Sequence, residues 1–331
     1  MAEEKRVETR KIQRLGTSSL VVTLPKAWVN RVNLKPGDTV YVVVEGDSVR
    51  IIPGSLPKPE PGKLVLELRV DEAKSLAPHI VGCLYVMGHR EVYIKLEEAD
   101  LQVINRILES TSRLLGAEAS CQGDNTIRFN VVLDSEKIDI TSYILSMVRN
   151  LSLLIQAIKN TSRESPKTDI SSVKMLFNEV TRTQHFIIRY LLLYLRSSRT
   201  PISLSAPPQS ILIASTLLGQ AGLIAYRASE RLSRDPDRER ILDWITSLAD
   251  EATKIVDSLA DLVKRPEAAK SIDLLRAVEE LKEKTVKKLY SPLQAYIASK
   301  LEDFLDIMRI VALVLLCTAI ESRLVEQPVA P

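Results

Sequence analysis

Glycine, cysteine and histidine are scarce in this sequence, numbering 11, 3 and 3 among 331 residues. Aromatic side chains make up only 5%. Each scarcity excludes a class of protein. The three cysteines, Cys83, Cys121 and Cys317, lie far apart without a CxxC pair, so they build no disulfide framework and a reducing cytoplasm is the expected compartment. The scattered glycines form neither a P-loop nor a GxGxxG turn, the two common phosphate-cradling loops. His89 and His185 have no nucleophile or carboxylate set beside them by a motif, and an enzyme is not expected. Long apolar runs are missing too. The longest, Ile310 to Ile320, has 11 residues, whereas a membrane span needs about 20. It reads as a helix at the centre of a bundle, the first residues are charged rather than apolar, and an integral membrane protein is not expected.

What is present is a concentration of positive charge. Residues 5 to 35 hold Lys5, Arg6, Arg10, Lys11, Arg14, Lys26, Arg31 and Lys35 against Glu8, a local charge of 8 − 1 = +7 in a chain of net charge +3. The other 300 residues therefore carry 3 − 7 = −4. A strand with Arg10, Lys11 and Arg14, a turn at Gly16, Thr17, Ser18 and Ser19, and a helix beginning near Lys26 would make one basic patch. Cations, hydroxyls and loop amides of this kind bind phosphate backbones, so double-stranded DNA is one expected partner. The same charge also fits a solvated, solubilising face, and charge alone leaves both readings open.

Composition marks the domains. The stretch "PGSLPKPEPG" has four prolines in ten residues and predicts a semi-rigid linker over 54–62. Before it, residues 5–53 read as strand, basic loop, strand, one short helix with Trp28 and Val32 on a shared core face, a Pro36-Gly37-Asp38 turn and a hairpin at Gly46-Asp47. A segment this small cannot hide its own apolar surface, so an interleaved homodimer is expected. Residues 63–134 read as a small α+β module. It has one helix from Glu72 to Met87 and a second near Asp100 to Leu115, with Leu101, Ile104, Leu108 and Leu115 on one face, followed by a hairpin at Gly123-Asp124. From 135 to 326 the pattern is helical, with Ile144, Val148, Leu151, Ile155 and Ile158 spaced by fours and threes and a similar series from Val173 to Leu191. "IASTLLGQAG" at 213–222 and "IASKLEDFLD" at 297–306 align without gaps, a faint internal repeat.

Two resemblances follow. "RKIQRLGTSSLVVTLPKAWVNRVNLKPGDTVYVVVEGDSVRIIP" resembles the SpoVT/AbrB family of swapped-hairpin DNA-binding domains through its basic strand, "L-P-K-x-W", "L-x-x-G-D-x-V" and terminal hairpin. That resemblance implies an intertwined dimer with Arg10, Lys11, Arg14, Thr17, Ser18, Ser19 and Lys26 on DNA. The helical part is similar to the PhoU family, through "NEVTRTQHFIIRYLLLYL", "ILIASTLLGQAGLIAYRASE" and "YIASKLEDFLDIMRIVA", and implies two three-helix units and a link to phosphate uptake. The whole order is similar to archaeal phosphate-uptake-regulator-like proteins. The expected fold class is therefore multidomain, with a β-rich AbrB-like head, an α+β module and an all-α PhoU-like bundle. The expected function is a dimeric DNA-binding transcriptional regulator. Its rivals are a signalling adaptor for a phosphate transporter or kinase, and an antitoxin-like partner.

PhoU proteins place metal-binding carboxylates as ExxxD, a spacing that Glu302 and Asp306 keep. Their counterparts in the first unit are Leu218 and Gly222, which ligate nothing, so no metal and no other cofactor is expected, and the pair reads as a solvated face near Lys300 or Arg309. His79 and Cys83 stand four apart, yet with no third ligand nearby they read as part of a buried helix face. Tyr190 and Tyr194 read as core.

Overall fold

The computed structural model describes residues 8–16, 19–45, 48–54, 64–133, 138–163, 170–196, 206–286 and 291–323. The chain divides into two compact units, Met1–Gly62 and Lys63–Pro331. The expected linker at 54–62 lies outside the described residues except for Gly54.

The first unit holds two small hairpins and a helix. Strand β1 (Gln13–Leu15) pairs antiparallel with β2 (Ser19–Val21), helix α1 spans Lys26–Arg31, and β3 (Val40–Glu45) pairs antiparallel with β4 (Ser48–Pro53). Pro25 is the cap residue of α1 rather than its first helical residue. The turn after the helix is closed by side chain and backbone together: Lys35 N–H donates to Asp38 Oδ2 at 2.7 Å and Asp38 N–H to the Lys35 carbonyl at 3.0 Å. Gly54 N–H donates to the Thr39 carbonyl at 2.8 Å and locks the open end of the second hairpin.

The second unit begins with β5 (Val65–Leu68), α2 (Val70–Leu76), α3 (Ile80–Val86), β6 (Glu91–Leu96), α4 (Leu101–Ser112), β7 (Ala117–Cys121) and β8 (Thr126–Val131). The sheet order is β5-β6-β8-β7, with β5 and β6 parallel and the other neighbours antiparallel. Strict alternation sets one face inward: Val92, Ile94 and Leu96 of β6 and Ile127, Phe129 and Val131 of β8 are buried. They pack with Ala73, Ile80, Val81, Tyr85, Val103 and Ile107 of the helices. The other face is polar, with Arg128 Nε donating to Glu91 Oε1 at 2.6 Å across the β6–β8 pair.

Two sequence expectations are corrected here. The single helix from Glu72 to Met87 is two helices, because Pro78 has no N–H with which to continue the helical ladder beyond Ala77. His79 and Cys83 then fall on an exposed face, while Ile80, Val81 and Tyr85 turn inward. In α4 the Asp100 side chain accepts from the N–H groups of Gln102 and Val103, at 2.9 and 3.2 Å, and caps the helix. Its buried face is Val103, Ile104, Ile107 and Thr111, and Leu101 is 76% exposed. Packing in the module's core selects Val103, Ile104 and Ile107 as the inner face, which apolar spacing alone assigns differently.

Among the described residues six long helices follow: α5 (Ile140–Arg163), α6 (Ser171–Arg196), α7 (Pro208–Arg234), α8 (Leu242–Lys264), α9 (Ala268–Val286) and α10 (Pro292–Glu321), with a 3-10 turn at Pro236–Ile241 before α8. The most extensive pairings are α5 with α8 and α7 with α10. One continuous apolar core runs through all six, from Ile144 and Leu151 to Val256, Val278, Met308 and Leu315. Pro208 and Pro292 open α7 and α10 at matching places, each serving a first turn where no N–H partner is lost. Among the described residues one helix, α7, is long and apolar enough to cross a membrane by length and composition. Ten of its residues, from Ile211 to Leu232, are buried. The bundle and the α+β module, separated at 134/135 by composition, belong to the same compact unit.

Candidate nucleic-acid interface

Arg14 sits in the middle of β1, exposed, directly across from Leu20 of β2. Ser19 pairs with Leu15 instead, so Arg14 and Ser19 point to opposite faces of the two-stranded ribbon. Strand alternation thus separates Arg14 from Ser19, neighbours that a linear reading places together. Gly16 makes the tight reversal with φ of 69°, a left-handed conformation that side chains disfavour. Thr17 and Ser18 lie outside the described residues.

Arg10 and Lys11 precede β1 and both are exposed. Arg10 donates to the Glu8 carboxylate, a pairing that offsets part of its charge. Lys26 is the first residue of α1 and exposed, and Arg31 is in its last turn, where a cation complements the helix dipole. Trp28 and Val32 are half-buried, on the inner side of α1.

The apolar surface of this unit is the feature that sequence reasoning left without residue numbers. Among its described residues only Ile52 and Pro53 are buried. Ile12, Leu15 and Leu20 are 67%, 64% and 70% exposed, and Tyr41, Val42, Val44 and Val49 are 60–73% exposed. Register makes this a surface rather than a scatter: Val42 pairs with Ile51 and Val44 with Val49, so all four side chains occupy one face of the second hairpin. The signal was the valine-rich alternation in "VYVVVEGDSVRII", which has apolar residues on both faces of a hairpin with little to cover either.

Asp306, one of the two candidate carboxylates of the bundle, is engaged by cations. Asp306 Oδ1 accepts from Lys282 Nζ at 2.8 Å, with Arg309 Nε at 3.9 Å, and Lys300 pairs with Asp303 at 2.5 Å rather than with Glu302. At the matching places in α7, Leu218 is 1% exposed and Gly222 packs against Val180. No group of three or more His, Cys, Asp or Glu among the described residues is placed to hold a metal ion. Tyr190 is buried, and its hydroxyl, 3.5 Å from the Ile138 carbonyl, is pushed up in pKa by burial.

Residues 13–59 match the family model described as "Antidote-toxin recognition MazE, bacterial antitoxin". The first unit is thus a small β domain similar to the AbrB/MazE type, followed by a mostly helical region. No curated protein and no solved structure matches the chain.

Proposed function

We propose that the protein is a cytoplasmic DNA-binding transcriptional regulator, without enzymatic activity, that works as a homodimer. Two heads pair through the uncovered hairpin faces, and their basic residues meet the phosphate backbone of a duplex with two-fold symmetry. Arg14 carries the contact most directly, with Lys11 and Lys26, while Arg10, Thr17, Ser18 and Ser19 complete the set. The observation that carries the reading is the conjunction in one small unit of exposed apolar faces and a local charge of +7 over residues 5 to 35. The AbrB/MazE type of the domain supports it, since domains of this type dimerise and bind DNA.

The helical region, in this reading, is a PhoU-like sensory or docking tail whose signal is tied to phosphate homeostasis. Its six helices in two runs of three and the 84-residue offset between α7 and α10 support that likeness. Anything that alters tail geometry then alters the separation of the two DNA-binding surfaces.

A gel-shift titration over a range of salt concentrations tests the reading. Arg14→Gln should weaken binding uniformly across sequences and reduce the salt slope by about 1 per neutralised contact. Unchanged affinity and slope would overturn it. The family match favours a second reading, an antitoxin-like partner of a toxin. Affinity capture with and without nuclease separates the two: a protein partner survives digestion, whereas DNA-bridged material is lost.

A further inference from the structure

Helix α10 carries an apolar seam on its outer face. Ile310, Leu313, Cys317 and Ile320 follow one another at intervals of three, four and three residues, the spacing of a coiled-coil contact line. All four are exposed, with Ile310, Leu313 and Ile320 at 40%, 37% and 50%. The opposite side of the same helix, Val311, Ala312, Leu315 and Ala319, is buried in the bundle. The apolar run expected at the centre of a bundle is therefore covered on one side only, although a helix apolar all round is normally covered on every side. Ile213 of α7, 46% exposed, lies in the same neighbourhood, because the hydroxyls of Ser210 and Thr318 are 3.4 Å apart and set the start of α7 beside the end of α10.

We infer that this seam docks against the same face of a second copy, α10 on α10, inside the dimer formed by the heads; the inference rests on that dimeric reading. The size of the seam selects the occupant. The exposures of Ile213, Ile310, Leu313 and Ile320 together amount to less than two whole side chains. A free-standing interface buries roughly 800 Å² on each partner, so the seam is too small to join separate chains. Joined heads remove that difficulty, since a tethered second copy acts at an effective concentration on the order of millimolar. The spacing suits a helix as occupant. A bilayer would call for a basic border, whereas the exposed charges along this side are mixed: Asp303, Arg309, Glu321 and Arg323. A two-fold pair presents the same face twice, as an isologous contact requires.

The test uses the full chain with Cys83→Ser and Cys121→Ser, leaving Cys317 as the only thiol, and a short bis-maleimide as probe. The expected result is a dimer by sedimentation whose copies cross-link through Cys317. Leu313→Glu should cut the cross-linking rate by about tenfold or more, while the protein stays folded by circular dichroism and dimeric by sedimentation. A dimer in which Cys317 reacts freely with a mono-maleimide and forms no cross-link overturns the inference and leaves the head reading standing. A monomer overturns the head reading, and this one with it. If deletion of residues 324–331 is what exposes Cys317, the chain's own end covers the seam and the inference also fails.

Discussion

The guanidinium of Arg189 in α6 lies over the ring of Tyr85 in α3, 4.9 Å from its centroid. Its Nη1 donates to the Tyr85 carbonyl and, at 3.0 Å, to the His89 carbonyl, both at the C-terminal end of α3. Arg189 is only 5% exposed, and helix-end carbonyls and an aromatic face meet its charge. Burial lowers its pKa, and burial raises that of the Tyr85 phenol, whose hydroxyl donates to the Leu115 carbonyl at 2.8 Å. This contact fastens the α+β module to the bundle and explains why one unit contains both.

Arg189→Met keeps the length of the side chain and removes both hydrogen bonds, leaving two carbonyls without that donor. A loss of about 1–3 kcal/mol is expected, read as a lower urea midpoint. Arg189→Lys should recover only part of it, since an ammonium lacks the planar fork that reaches two acceptors together. An unchanged midpoint in Arg189→Met would show that the junction is held by apolar contact alone.

His185, one turn before Arg189 on α6, gives the protein a pH dependence of definite sign. Burial lowers its pKa from the ordinary value. The unfolded chain, with a histidine pKa of about 6.5, then binds the proton more readily than the folded one. Stability from this residue is complete above about pH 6.5 and is lost as the pH falls toward the lower folded value. Melting temperatures measured from about pH 8 down to about pH 5 should decline for the native protein and decline less for His185→Gln. Parallel curves would assign the acid sensitivity to other groups.

Arg189 and the α10 seam show where sequence reading stops. The periodic faces of α5 and α6 were legible because Ile144, Val148, Leu151, Val173, Val180 and Leu191 keep helical spacing and one buried side each. Arg189 was not, since a lone arginine in "HFIIRYLLLYL" looks like the wet edge of a helix, and its partners are backbone carbonyls about a hundred residues away. The parallel pairing of β5 with β6 was equally hidden, because register between strands separated by two helices leaves no local trace. In the head, residue types indicated phosphate contact, but the β1–β2 register decides that Arg14 and Ser19 face apart. The outer seam of α10 escaped notice because apolarity marks burial without saying which molecule does the burying.

Helices α6 and α7 approach closely at two glycines, and their substitution should have different outcomes. A Cβ at Gly219 would collide with Gln184 Oε1, the far end of a flexible side chain whose Nε2 is 3.4 Å from the Thr216 carbonyl. Gly219→Ala therefore sets one weak hydrogen bond of about 0.5–1.5 kcal/mol against a helix-propensity gain of about 1 kcal/mol, and stability should change little. Adding Gln184→Ser removes the collision and should leave a net gain. At Gly222 the Cβ would meet Val180 Cγ1 at 3.0 Å, and Val180 is 0% exposed with a stiff branched side chain. Gly222→Ala should cost about 1–3 kcal/mol by overpacking against the same propensity gain of about 1 kcal/mol, a net loss of up to about 2 kcal/mol. Equal effects at both sites in urea unfolding would contradict the packing described.

The β3–β4 hairpin offers the sharpest test of the dimeric head. Val44 is 73% exposed and pairs directly with Val49, 61% exposed, with Val42 beside them on the same face. If a second copy covers that face, each valine loses water on association, worth about 1.5–3 kcal/mol for full burial, and both copies contribute. Val44→Lys places a charge at the contact without disturbing any contact that Val44 makes as a buried residue, since it is not one. The variant should sediment as a monomer at concentrations where the native protein is dimeric, and its melting temperature should lose the concentration dependence expected of a coupled dimer. DNA affinity should fall with it, because one head presents half of the positive charge. A Val44→Lys protein that remains dimeric and binds duplex DNA as before would mean that these valines face water in the functional molecule.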